Sequence, residues 1–178
     1  MGHREHRLQG PAAVPCAVLT VSDTRDESTD TSGALIRRSL RRAGHTVVDY
    51  RILKDEPRRI VAHLRALARR ARARVVLLTG GTGIASRDST FEAVSSLLDK
   101  RLDGFGEIFR ALSYREIGSA AMLSRALAGT YRGMVLVSMP GSEDAVRLAM
   151  TRLILPELRH LAGLVAGEGR GDRNAHAR

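Results

Sequence analysis

Tryptophan is absent from this 178-residue chain, phenylalanine and tyrosine number three each, and cysteine occurs once, as Cys16. Each scarcity excludes something. A lone thiol cannot form an intramolecular disulfide, which predicts a reducing, cytoplasmic setting. Few aromatic rings leave little on which nucleobases could stack. The histidines (His3, His6, His45, His63, His160 and His176) follow no zinc-ligand spacing. No apolar run approaches the ~20 residues of a membrane span. Met1 to Ala13 carries charge without an apolar core, so the sequence predicts no signal peptide and a mobile leader over residues 1–13. Lysine is scarce too: of 29 basic residues only Lys54 and Lys100 are not arginine.

What is present is charge. Against 19 acidic residues the net charge is +10. The arginines crowd at Arg37, Arg38, Arg41 and Arg42, and again from Arg58 to Arg74. Two readings compete: neutralisation of a nucleic-acid backbone, or a solvated helix face that also draws in a polyanionic substrate. The shortage of stacking rings favours the second, so neither nucleic acid nor membrane is an expected partner.

Hydrophobic periodicity predicts four strands, over residues 16–22, 46–53, 75–78 and 134–139. Helices are predicted over 33–43, from Pro57 to about Arg72, over 90–98, 107–115 and 120–127, and over 143–161, the last kinked or restarted at Pro156. Gly104-Phe105-Gly106 reads as a break. Glycine and charge after Gly163 predict a disordered tail over 163–178, which leaves one domain over 14–162. Strands alternating with helices predict an α/β fold, a three-layer α/β/α sandwich around a mostly parallel sheet. The third strand is short and wholly apolar, as in a strand covered on both faces.

In such a fold ligands bind beyond the carboxyl ends of the strands. Three strands end in loops of Gly, Ser, Thr and Asp: at Ser22-Asp23, at Thr79 to Gly83, and at Pro140-Gly141-Ser142. Gly80, Gly81 and Gly83 directly after a buried strand allow backbone N–H groups to approach a phosphate, though a tight turn needs the same residues. The loop is not a P-loop, since no Gly-Lys-Ser/Thr follows. It also fits a dinucleotide fingerprint badly, with Ser86 at the third glycine position. Asp88 lies just past this loop and Asp55 at the end of the second strand. A carboxylate beside a phosphate cradle calls for a bridging cation, and Mg²⁺ takes one or two carboxylates plus phosphate oxygens. Each acid has a plainer reading as a helix N-cap, Asp55 before Pro57 and Asp88 before Thr90. Ser142 is a further candidate cap. Cys16 opens a strand and reads as a small core residue.

Taken together the motifs resemble the MoaB/MogA family of molybdenum cofactor biosynthesis. The matching stretches are Thr20-Val21-Ser22-Asp23, Asp30-Thr31-Ser32-Gly33, Asp55-Glu56, Thr79-Gly80-Gly81-Thr82-Gly83, Arg87-Asp88-Ser89-Thr90, Gly104-Phe105-Gly106-Glu107, Ser124-Arg125-Ala126 and Met139-Pro140-Gly141-Ser142. The stretch from Gly104 to Gly118 resembles the MoaB branch more than the MogA branch. Phe91 stands where the family often has proline, and Asp103 where the MogA branch does. Some MoaB-branch members lack one or both acids implicated in catalysis; this chain carries both, Asp55 and Asp88.

The resemblance implies a molybdopterin adenylyltransferase with ATP and molybdopterin as substrates and Mg²⁺ as cofactor. It implies that Asp55 and Asp88 position the metal, and that Ser22, Gly80, Gly81, Thr82 and Gly83 contact phosphates and nucleotide. Ser124, Gly141 and Ser142 would serve the pterin side. It further implies a homo-oligomer, trimer or hexamer, and handover of product to a MoeA-type metal-inserting enzyme. The alternative within the family is a protein that binds molybdopterin or a pathway partner without adenylylating it.

Overall fold

A computed structural model describes residues 11–171. Most of the leader expected over 1–13 therefore lies outside the described residues; 11–13 are exposed and belong to no helix or strand.

The four strands expected from the apolar runs are present: β1 (Pro15–Val21), β2 (Thr46–Leu53), β3 (Val75–Thr79) and a later strand, Met134–Met139. Between the last two lie a pair that the sequence reading missed, β4 (Lys100–Arg101) and β5 (Leu127–Tyr131), so Met134–Met139 is β6. The expected helix over 120–127 is instead a 3₁₀ turn over Gly118–Leu123 followed by β5. Two small residues, Ala128 and Gly129, weaken the strand signal there. Pairing with β6 imposes the extended form, and the hairpin closes through Arg132 (φ 47°) and Gly133 (φ 74°). Two consecutive left-handed residues are what a two-residue hairpin turn requires.

The sheet runs β2-β1-β3-β6-β5-β4. The first four strands are mutually parallel, and β5 and β4 join antiparallel. Side chains alternate across it. Cys16, Val18, Val75, Leu77, Val137 and Met139 point to one face, Ala17, Leu19, Val76, Leu78 and Leu136 to the other. The first face is covered by α1 (Thr31–Arg42), α4 (Asp103–Ile117) and the C-terminal helices. The second is covered by α2 (Pro57–Arg70) and the short α3 (Thr90–Ser95). These are the three layers that the sequence predicts.

Several helix boundaries moved for identifiable reasons. Gly104-Phe105-Gly106 does not break the chain; it lies in the first turn of α4, where Phe105 and Phe109 stack with ring centroids 6.2 Å apart and anchor the helix to the core. The last helix is α5 (Glu143–Ala149), then a π-turn over Met150–Ile154, then α6 (Leu155–Gly171). The restart expected at Pro156 is present: α6 begins at Leu155 directly after the widened π-turn, and Pro156 lies in its first turn, where a helix leaves the N–H that proline lacks without an intrahelical partner. Of the tail expected from residue 163, the described part is helical. Helix α6, which runs to Gly171, passes Gly163 because Val165 is buried in the core beside Leu158 and Ala162, and that burial outweighs the low propensity of one glycine. Residues 172–178 lie outside the described residues.

The chain leaves β1 toward β2 on one side, and leaves β3 toward β6 on the other. The sheet's switch point is thus the seam between β1 and β3, and the loops after these two strands diverge there and leave a crevice.

Candidate active site

The crevice is built from backbone outward. Gly80 donates its N–H to the Met139 carbonyl at 3.1 Å, which ties the end of β3 to the end of β6. Gly80 also lies so close to β1 that a side-chain carbon would collide with the Val21 carbonyl, and Gly141 approaches the Gly80 Cα from the other side. Ser22 is held by its N–H to the Leu53 carbonyl, 2.8 Å, while its hydroxyl accepts from the Thr24 and Arg25 amides. Ser22, Gly80 and Gly141, predicted from three separate loops, therefore share one floor.

Gly81 has φ +62°, a left-handed conformation, and a Cβ there would strike both the Asp55 carboxylate and the Thr90 hydroxyl. Gly83 lies against the Asp88 carboxylate in the same way. The two predicted acids thus flank the glycine loop. Neither caps a helix. Glu56 occupies the cap position of α2 without a side-chain bond, and Asp55 reaches across the seam to accept from the Ser89 N–H (3.2 Å), the Ser89 hydroxyl (2.7 Å) and the Thr90 hydroxyl. Ser89 occupies the cap position of α3, and Asp88 instead accepts from the Ala85 N–H at 3.1 Å. The capping readings of both acids are corrected, for Asp55 by distant partners and for Asp88 by a bond within its own loop. Ser142 does cap, accepting from the Ala145 N–H at 3.3 Å.

Asp55 is buried, and no arginine or lysine pairs with it among the described residues. A buried carboxylate without a cationic partner is costly unless a cation or protein donors satisfy it. Its Oδ1 atom takes the three donors above, and Oδ2 faces Gly81. Among the described residues no three acidic, histidine or cysteine side chains form a ready cage. A cation here would depend on phosphate and water oxygens for much of its coordination, the habit of Mg²⁺.

The loop's amides are its main resource. Among the described residues, Thr90 N–H goes to the Gly81 carbonyl and Asp88 N–H to that of Ala85, but the N–H groups of Gly81, Thr82, Gly83 and Ile84 meet no protein acceptor. Consecutive unpaired amides beside glycines are suited to phosphate oxygens.

Four features escaped the sequence reading. Asp23 accepts from Arg87 at 2.8 Å and from the Asp55 N–H at 3.3 Å, and the Arg87 hydrogen bond holds its carboxyl below the usual carboxylate range. The pair joins the two walls of the crevice. Asp30, fully buried, accepts from Thr20 (2.6 Å), Tyr50 (2.7 Å) and the Gly33 N–H (2.9 Å) and so fixes the start of α1. Ser32 in that first turn donates to the Gly141 carbonyl at 2.8 Å. Arg125 binds the glycine loop: its Nε donates to the Thr82 carbonyl at 3.0 Å, its Nη2 to the Gly83 carbonyl, and it pairs with Glu92. The Arg125 bond holds the Glu92 carboxyl below its ordinary range. Ser124, predicted on the pterin side, reaches the site only as the neighbour of Arg125; its own N–H closes the 3₁₀ turn onto Ala121. The family-like motifs hold each of these residues except Tyr50 and Glu92, yet nothing local shows where they meet.

Residues 17–160 match the family model described as "Probable molybdopterin binding domain". The chain is 55% identical over 162 residues to molybdenum cofactor biosynthesis protein B of Halalkalibacterium halodurans, covering 90% of this chain and 95% of that one. Among solved structures it resembles the tungsten cofactor synthesizing protein MoaB from Pyrococcus furiosus, at 40% identity and TM-score 0.78, covering 87% and 98% of the two chains. The molybdopterin biosynthesis Mog protein from Mycobacterium ulcerans matches at 25% identity with the same TM-score, 0.78, over 88% and 99%. The fold is thus common to both branches, and sequence identity sides with the MoaB branch.

Proposed function

This chain belongs to the molybdopterin-binding family of molybdenum cofactor biosynthesis, and we propose that its own step there is the Mg²⁺-dependent adenylylation of molybdopterin by ATP. The observation that carries this reading is the Gly80–Gly83 loop, with unpaired amides at Gly81, Thr82 and Gly83, flanked by the carboxylates of Asp55 and Asp88.

In the reaction a terminal phosphate oxygen of molybdopterin attacks the α-phosphorus of ATP. The bond from that phosphorus to the bridging oxygen breaks, and pyrophosphate leaves with the electron pair. No covalent enzyme intermediate is needed, and the one thiol is unsuited to be a nucleophile: burial pushes Cys16 up to about 12. Nucleotidyl transfer depends on positioning and on stabilising spread negative charge. The amides of Gly81, Thr82 and Gly83 hold ATP phosphate oxygens, and Ser22 presents its hydroxyl from the facing wall. Asp88 and Asp55 hold Mg²⁺, directly or through water; when bound, the ion neutralises charge on the phosphates. Gly141 and Ser142 border the crevice on the side of β6 and serve the pterin phosphate, with Ser124 at the far end of the loop.

The same reading includes a homo-oligomer, trimer or hexamer, and handover of adenylyl-molybdopterin to a MoeA-type enzyme. Exposed apolar side chains on α4 and the following 3₁₀ turn support self-association: Ile108, Tyr114, Ile117, Met122 and Leu123 are each more than half exposed. The exposed arginines of α2 lie on the opposite layer, whereas those of α1 and Arg115 share the layer of α4 and must pair or point away from such an interface.

The test is pyrophosphate release from Mg²⁺ and ATP with and without molybdopterin. Release that depends on molybdopterin and on Mg²⁺ is expected. Molybdopterin binding without pyrophosphate release would leave the protein as a carrier and overturn the enzymatic reading.

A further inference from the structure

We propose that Arg125 is a positioning residue that aims the amides of the glycine loop at the phosphate group. The inference rests on the phosphate-binding reading of that loop and adds the residue that sets its geometry.

Arg125 lies between the 3₁₀ turn and β5, 43 residues after Thr82. Its guanidinium meets two successive carbonyls of the loop, those of Thr82 and Gly83. In a planar trans peptide the C=O and the following N–H point in opposite directions. Holding the Thr82 carbonyl toward Arg125 therefore turns the Gly83 N–H away from it, and holding the Gly83 carbonyl does the same for Ile84. These two amides are among those without a protein acceptor.

Glycine at position 83 leaves these peptides easy to rotate. A flip would put a carbonyl oxygen where the phosphate needs a donor, replacing attraction with repulsion. Arg125 opposes the flip from three directions. Its fork spans the two carbonyls, its remaining N–H groups pair with both oxygens of Glu92, and its Cζ lies 4.8 Å from the Phe91 ring centroid. Phe91 is thus part of a platform for the guanidinium. Lysine cannot reproduce this arrangement, since its ammonium is a point donor without a planar fork.

The experiment uses the full chain, ¹H–¹⁵N spectra, and inorganic tripolyphosphate as the probe. In the parent, the Gly83 and Ile84 amides should move on titration. In Arg125→Ala those two resonances should already be displaced before the probe is added, whereas the Gly33 amide, held by Asp30, stays in place. Affinity for tripolyphosphate should fall roughly tenfold or more, Arg125→Lys should not restore it, and added methylguanidinium should restore part. Glu92→Gln, which keeps the arginine but loosens it, should displace the same amides by less; it serves as the readout if Arg125→Ala does not fold.

Unshifted Gly83 and Ile84 amides, or unchanged tripolyphosphate affinity, in these variants would overturn the proposal. So would a parent whose loop amides ignore the probe. A parent that binds tripolyphosphate in this Arg125-dependent way but releases no pyrophosphate from ATP would overturn only the adenylylation reading and leave the role of Arg125 standing.

Discussion

Replacing Asp88 by asparagine separates fold from chemistry at this site. Asp88 gives the fold one hydrogen bond, accepted from the Ala85 N–H at 3.1 Å, and an asparagine of nearly the same shape retains an acceptor oxygen for it. One such bond is worth about 1 kcal/mol, so even its full loss would lower Tm by only roughly 2–4 °C in a domain of this size. Helix capping adds nothing to the cost, because the α3 cap position belongs to Ser89. Turnover should respond differently. A carboxylate lost from the metal removes stabilisation concentrated in the transition state, so kcat should fall on the order of a hundredfold, about 2.7 kcal/mol. The assay is pyrophosphate release at saturating ATP across a Mg²⁺ titration, with molybdopterin binding measured separately. Binding should persist. A variant that keeps more than about half the parent rate, with the same Mg²⁺ dependence, would refute the metal assignment and reduce Asp88 to a brace for the turn at Ala85.

Gly81→Ala should abolish nucleotide binding and destabilise the chain by at least roughly 1–2 kcal/mol, because the left-handed φ of +62° and a collision with Asp55 and Thr90 act together; a urea midpoint equal to the parent's would contradict the loop geometry. Asp30→Ala strands the buried donors of Thr20 and Gly33 and the half-buried one of Tyr50 and should cost about 3 kcal/mol or more, read from equilibrium unfolding; a loss under about 1 kcal/mol would mean that water replaces the carboxylate. His45 should make stability fall in mild acid. Burial, with the charge of Arg159, lowers its pKa, and its Nδ1 accepts from the Val14 N–H at 3.2 Å. The neutral ring is favoured in the fold, so its contribution is complete above the unfolded value of about 6.5 and is lost as pH falls through the lower folded value. The Tm of His45→Asn should therefore drop less than the parent's between about pH 7 and about pH 5; an equal drop would exclude His45 as a cause.

What could be read from the sequence was what is local. The runs that became β1, β2, β3 and β6 announce themselves by apolar, branched residues, and Gly80 to Gly83 follow one of them directly. Alternation of strands and helices then suffices for the three layers, and the strand-end rule for the position of the crevice. Local signals are insufficient where distant partners decide. In Leu127–Tyr131 the small Ala128 and Gly129 dilute the strand preference of Thr130 and Tyr131, and the segment becomes β5 because β6 lies ready beside it. Val165 keeps α6 helical past the glycines because the core has room for it.

The acids make the same point for function. A short acid before a helix looks identical whether it caps that helix or serves a ligand, since both uses need an exposed-looking carboxylate at a chain turn. Only the partners discriminate, and for Asp55 those partners, Ser89 and Thr90, lie 34 and 35 residues away. The hydrogen bonds they form bring the proposed metal and phosphate groups to one seam. Asp55 ends the β2 side, Ser89 and Thr90 begin the helix after the glycine loop, and Gly81 fits between them only because it lacks a side chain. Glycine therefore stands at position 81 for two reasons at once: it lets the backbone turn through positive φ, and it lets a buried carboxylate approach the loop whose amides are proposed to receive a phosphate. A phosphate oxygen bound there would lie close to that carboxylate, and the two negative groups could share the site only with a cation between them. Were a phosphate held there, this one residue would link its cradle to the Mg²⁺ of the proposed reaction.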